Sequence, residues 1–239
     1  MISVGWVSAQ TVDELIKSGE SFIDKNDALA LKKFEAVLEM EPNNYKALHE
    51  ASLLYSRIGN RFNTKEEKTT YFRKAKDLAQ KAIDANGGDP QGYYVMGVAL
   101  GRISLIAGSK EKVRNVRSIK TNAEEALKLD NRHPGAWHLL GRVHIGVANA
   151  SRAERIAANT FFGGLPKDCS NERGIECYKY ALKYRPNYLL FMYDLAEAYY
   201  FDEQFSECES TLNDIIAGKS ETEDDPGLKK AAKEMLAEF

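Results

Sequence analysis

Apolar residues return at steps of three and four along nearly the whole chain, the spacing that gathers them on one face of an α-helix. One instance reads Trp137, Leu140, Gly141, His144, and the register recurs as Leu15, Ser18, Gly19, Phe22; as Leu48, Ala51, Ser52, Tyr55; as Tyr93, Met96, Gly97, Leu100; and as Met192, Leu195, Ala196, Tyr199. The third position of each set is small, so a neighbouring helix can approach closely there. A second stripe follows each first one: Ala30, Phe34, Val37; Ala75, Ala79, Ala82; Ile119, Ala123, Ala126; Gly174, Tyr178, Ala181; and Cys208, Leu212, Ile215. The segments "EMEPNN", "DANGGDP", "KLDNRHP" and "KYRPNY" then supply the Pro or Gly that ends one helix before the next begins. The pattern predicts successive pairs of helices.

This order, a first helix with large-x2-Leu-Gly-x2-Tyr and a second with Ala-x3-Phe-x2-Ala, is the tetratricopeptide pattern. The expected fold is all-α, a right-handed superhelical solenoid of about five helix pairs over residues 11–218, with a capping helix at its end. Gly19 to Ser52 spans 33 residues, but the next three steps are 45, 44 and 55, against a usual period of about 34. Three repeats therefore carry insertions, all between first and second helix. These should lengthen helices and loops along one rim and are loop candidates for function. After Ile216, "AGKSETEDDPG" reads as a solvated acidic linker, and "LKKAAKEMLAEF" returns to helical spacing through Leu228, Ala232, Met235 and Leu236. Residues 219–239 are thus expected to be linker and capping helix.

Composition narrows the function classes. With 33 Lys and Arg against 35 Asp and Glu, the formal charge is -2, which leaves no global footprint for nucleic acid or an acidic membrane. No run reaches the ~20 apolar residues of a membrane span. The first ten residues, however, are apolar and end in the small-x-small pattern of a cleavage site. They read either as the remnant of a signal peptide, placing the protein in the periplasm or outside the cell, or as a frayed end of a cytoplasmic chain.

Chemistry-bearing motifs are sparse. Cys169, Cys177 and Cys208 form no CxxC pair, and no two of His49, His133, His138 and His144 stand four apart on a helix, so no metal site is expected. No phosphate-binding glycine loop or nucleophile elbow is present. "FFGGLP" follows a helical run and reads as a helix stop. The expectation is a protein without catalytic residues, cofactor or metal.

The stretches "VALGRISLIAGSKEKVRNVRSIKTNAEEALKLD" and "HPGAWHLLGRVHIGVANASRAERIAANTFFGGLP" resemble the regulator of microtubule dynamics family, in long helix insertions and the "ANTFFGGLP" turn. The resemblance covers roughly Ala28 to Ile216 and is that of a bacterial-type member. It implies a repeat fold with no catalytic motif. For eukaryotic members it implies microtubule, organelle-contact and lipid-binding roles, which nothing in these residues carries over.

In repeats of this type the concave wall comes from first-helix residues beside the packing stripe. Counting from the register gives His49, Leu53, Arg57; Tyr94, Val98, Arg102; His138, Arg142, Ile145; and Tyr193, Glu197, Tyr200. Of these, Arg57, Tyr94, Arg102, His138, Arg142, Tyr193 and Tyr200 are the candidate groove residues. Arginine forks bind carboxylate or phosphate, and tyrosines add an apolar face with a hydroxyl. The set suits a protein or peptide partner, or alternatively a phospholipid-like amphiphile. A clamp for a peptide's terminal carboxylate is not expected, because Leu53, Val98 and Glu197 stand where it would need basic or amide groups.

Overall fold

The computed structural model describes residues 10–239. The apolar start, with its signal-peptide reading, lies outside the described residues except for Gln10. Twelve helices follow one another: α1 (Val12–Phe22), α2 (Asp27–Met40), α3 (Tyr45–Arg61), α4 (Lys65–Ala85), α5 (Pro90–Ile106), α6 (Ser109–Leu129), α7 (Pro134–Ala148), α8 (Arg152–Phe162), α9 (Asn171–Tyr184), α10 (Leu189–Phe201), α11 (Phe205–Ala217) and α12 (Asp225–Leu236). Among the described residues there is no strand. Most starts carry the side-chain cap that free N–H groups of a first turn require. Thr11, Asn26, Asn44, Thr64 and Ser151 each accept from the backbone three residues on.

The pairs are α1 with α2, α3 with α4, α5 with α6, α7 with α9, and α10 with α11; α8 is the insertion of the fourth repeat and leans on α6. Every residue of the second-helix stripes is buried. The small first-helix positions sit where a partner ring presses in. A Cβ on Gly19 would come within 2.9 Å of the Phe34 ring, and one on Gly141 within 2.6 Å of Tyr178. Ser52 does the same work in the second repeat, its buried hydroxyl donating to the Ala75 carbonyl at 2.8 Å. At "FFGGLP" α8 stops as expected, with Gly163 at φ 68 and Gly164 at φ 96, the left-handed region that glycine enters without cost.

First helices touch along the inside, α3 with α5, α5 with α7, and α7 with α10. They form the inner wall. The acidic segment departs from its solvated reading, because one turn of the superhelix brings it against the first two repeats. Glu223 N–H donates to the Asp24 carbonyl at 3.1 Å, and its carboxylate accepts from Asp27 N–H at 2.7 Å. Arg61 reaches Asp224 at 2.7 Å and Glu223 at 3.1 Å. Thr222 and Asp225 are buried beside them. The segment is a seam, and its acids are held there by an arginine more than 160 residues away in sequence. α12 then caps the last pair, packing on α11 and α10.

Candidate functional site

Closure of the superhelix leaves a hollow of about 430 Å³. Its walls come from α3, α5, α6, α7 and the start of α10, with the α1–α2 turn and Asp224 at the seam. Most of the surface is aliphatic, including Leu53, Val98, Val113, Val116, Leu139, Val143 and Val147. Into it project four arginines: Arg57, Arg102, Arg142 and Arg185.

Three of the four are already matched. Arg57 meets Asp24 at 2.7 Å and Asp27 at 3.1 Å. Asp24 is held for this at φ 69 in the α1–α2 turn, a left-handed conformation that aspartate tolerates better than most residues. Arg185 lies 3.6 Å over the Tyr188 ring and 3.5 Å from Asp24. Arg142 reaches Asp194 at 3.5 Å, and the same carboxylate oxygen lies 2.7 Å from His138 Nε2. Burial works against the charged form of Asp194, but Arg142, His138 and Arg102 outweigh it and hold its carboxyl below the usual range. The His138 ring stacks on Phe191 at 4.4 Å, and burial pushes its pKa down despite Asp194.

Arg102 is the exception. Among the described residues no carboxylate lies within ion-pair distance of it, and residues 1–9 contain no Asp or Glu. Burial and then the like charge of Arg142 push its pKa down to about 10. A guanidinium in an apolar hollow without its own anion makes a receptor for one negative charge. Lys112, also on the wall, is paired with Glu154 at 3.6 Å.

The structure brings Arg57, Tyr94, Arg102, His138 and Arg142 together around this hollow. It does not bring Tyr193 or Tyr200 there. Tyr193 packs against the core cluster that α9, α10, α11 and α12 share. Tyr200 is exposed and forms an edge-to-face group with Phe201, Phe205 and Phe239. The register slips on α10, where only Leu190 and Phe191, near its start, line the hollow, while the counted positions belong to faces packed into the last core cluster or exposed. His49, Ile145 and Glu197 are likewise off the wall; Ile145 fills the space against Gly174. Asp194, Arg185 and Tyr188 were missed by the sequence reading. Asp194 lies one position past Tyr193 on α10, and the other two lie in or beside the turn that precedes that helix. Among the described residues no group of three His, Cys, Asp or Glu could hold a metal ion, and no helix is long and apolar enough to cross a membrane.

The family model described as Regulator of microtubule dynamics protein 1-3 matches residues 9–239. No curated protein sequence matches the chain. Among solved structures, TTC0263, a thermophilic tetratricopeptide protein of Thermus thermophilus, superposes with a TM-score of 0.68 at 14% identity, covering 95% of this chain and 100% of that one. A monomeric mutant of IFIT1 with Gppp-AAAA reaches 0.52 at 15% identity, over 93% of this chain and 52% of that one. MamA follows at 0.46 and 15% identity, over 95% of this chain and 94% of its own. At these identities the likeness is one of fold.

Proposed function

The chain belongs to the Regulator of microtubule dynamics protein 1-3 family, and from that premise we propose that it is a binding scaffold and not a catalyst. Its hollow holds a guest that is apolar over most of its surface and negative at one point. The observation that carries this is Arg102, a charged group directed into an apolar hollow with no anion of its own. Burying a charge is costly unless it is paired, and a guest's carboxylate or phosphate would relieve that cost. His138 is no free base here, being stacked and tied to Asp194.

In the first reading the guest is a segment of a protein partner, which a repeat frame with a concave inner wall is suited to receive. The second reading, an amphiphile, is favoured by the aliphatic lining and by closure of the ring at Glu223 and Asp224. The test is Arg102→Glu combined with Arg142→Glu. It should abolish partner capture in a pull-down, or remove a co-purifying small molecule seen by native mass spectrometry of protein extracted without detergent. Unaltered capture together with an unaltered spectrum removes the hollow from the account.

A further inference from the structure

Four of the nine large apolar side chains exposed among the described residues gather in one place away from the hollow: Tyr200 and Phe201 at the end of α10, Phe205 at the start of α11, and Phe239 beyond α12. Each is between 43% and 51% exposed. Tyr200 stands at the centre, its ring 6.2 Å from that of Phe201 and 5.9 Å from those of Phe205 and Phe239, and these last two rings are 5.9 Å apart. At about half of the ~200 Å² that an aromatic side chain offers, four rings present roughly 400 Å². An exposed patch of this size with a polar rim marks an interaction site.

The rim is acidic. Residues 186–218 hold seven Asp and Glu and no Lys or Arg. Asp202 and Glu203 lie in the turn between Phe201 and Phe205, Glu209 is one helical turn past Phe205, and Glu238 precedes Phe239. Among the described residues none of these four carboxylates is in an ion pair, whereas Asp194 and Glu234 on either side of them are. Elsewhere the chain's own cations cover its rings: Lys110 lies over Phe161, Lys179 over Tyr199, and Arg185 over Tyr188. The four clustered rings have no such cover among the described residues.

We propose that this cluster is a docking surface independent of the hollow, and that it receives a short cationic segment of a protein partner in which a lysine or arginine stands beside an apolar anchor. The cation lies over a ring face, where the ring quadrupole attracts it, with the carboxylates of the rim around it. The anchor covers the rest of the aromatic surface. Charge and size select this occupant over two others. A second copy of the chain, meeting this face with its own, sets the same carboxylates against each other, and roughly 400 Å² is half of the ~800 Å² per partner of a standard stable interface. An anionic membrane surface meets the same repulsion. A short segment needs less area, at an affinity on the order of micromolar.

The experiment is fluorescence anisotropy of the full chain titrated into three labelled amphipathic peptides of about 14 residues, four helical turns, each below its self-association concentration. One is built of Leu and Lys, one of Leu and Glu, one of Ser and Lys. The Leu/Lys peptide should bind, with the other two weaker by about tenfold or more. Phe201→Ser with Phe205→Ser should weaken it by about tenfold and leave the melting temperature unchanged, because both rings are half exposed. If that variant melts lower, Glu203→Gln with Glu209→Gln replaces it and should weaken binding about fivefold while flattening its dependence on salt. Arg102→Gln should leave the affinity unchanged; a loss there puts the probe in the hollow and overturns the second surface. Equal binding of the Leu/Glu peptide overturns the charge of the partner, and equal binding of the Ser/Lys peptide overturns the anchor. A dimer in sedimentation that Phe201→Ser with Phe205→Ser dissolves overturns the occupant in favour of a second copy. If no peptide binds, or if both variants bind as the wild type does, the docking surface falls while the reading of the hollow stands untouched.

Discussion

At the scale of single residues, the hollow concentrates groups whose local energetics are unfavourable in the empty protein. Arg102 is held charged against burial and against Arg142, which is why its pKa falls to about 10. Replacing it with methionine keeps the stem's packing and removes the charge. Arg102→Met should raise stability at pH 7 by about 1–2 kcal/mol, read from chemical denaturation, while ligand binding is lost. A fall in stability would mean that the guanidinium has a favourable partner in solution. Outside the hollow, Glu197 is strained in a similar way, since burial and then the nearby Asp194 push its carboxyl up to about 7 from an ordinary 4.5. A raised acid costs nothing at low pH, where it is protonated both folded and unfolded. Its cost grows as pH rises from about 4.5 and is complete above about 7. Glu197→Gln should therefore stabilise by about 1–2 kcal/mol at pH 8 and by almost nothing at pH 4. An equal gain at both pH values would locate the effect elsewhere.

At the scale of helices, the glycines divide into two kinds, those at the small position of the packing stripe and those outside it. Gly141 lets the Tyr178 ring lie against the α7 backbone, and a methyl there would stand 2.6 Å from that ring. Gly141→Ala should cost about 1–3 kcal/mol through overpacking, outweighing the gain in helix propensity. The same change at Gly101 has open space before it and should gain roughly 0.5–1 kcal/mol. Thermal melts of the two variants therefore move in opposite directions; a shared sign would refute the division. The same contrast applies to insertions. α8 extends the fourth repeat and is anchored where Arg117 donates to the carbonyls of Phe162 and Gly164 at 2.6 and 2.5 Å, so that insertion is a fixed part of the rim.

At the scale of the whole molecule, the seam turns an open solenoid into a ring. Glu223 and Asp224 meet Arg61, and Glu223 also bonds to the backbone of the α1–α2 turn. Glu223→Gln with Asp224→Asn should weaken this closure. Hydrogen exchange at the amides of Asp27 and Glu223 should then speed up by roughly tenfold or more, with helix interiors such as that of α5 unchanged. Raising salt should produce a smaller shift of the same kind in the wild type, because these ion pairs are partly exposed. Unchanged exchange at both amides would mean that the seam rests on other contacts.

Much of this architecture could be read from the chain. The buried stripes, the small positions at helix contacts, the helix stop at "FFGGLP" and the approximate inner wall all follow from local periodicity, because neighbours three and four residues apart share a helix face whatever the rest of the fold does. Five of the seven candidate groove residues therefore meet around one hollow. Tertiary structure decided what depends on the path of the superhelix: that Arg57 is spent on Asp24 and Asp27, that Arg102 is left without an anion, that α10 turns Tyr193 and Tyr200 away, and that the acidic segment closes the ring instead of standing in water. Small rotations between successive pairs add up over five repeats. Where the last repeat meets the first is a property of that accumulated curvature, and no local pattern of apolar and polar residues encodes it in a form that can be read one helix at a time.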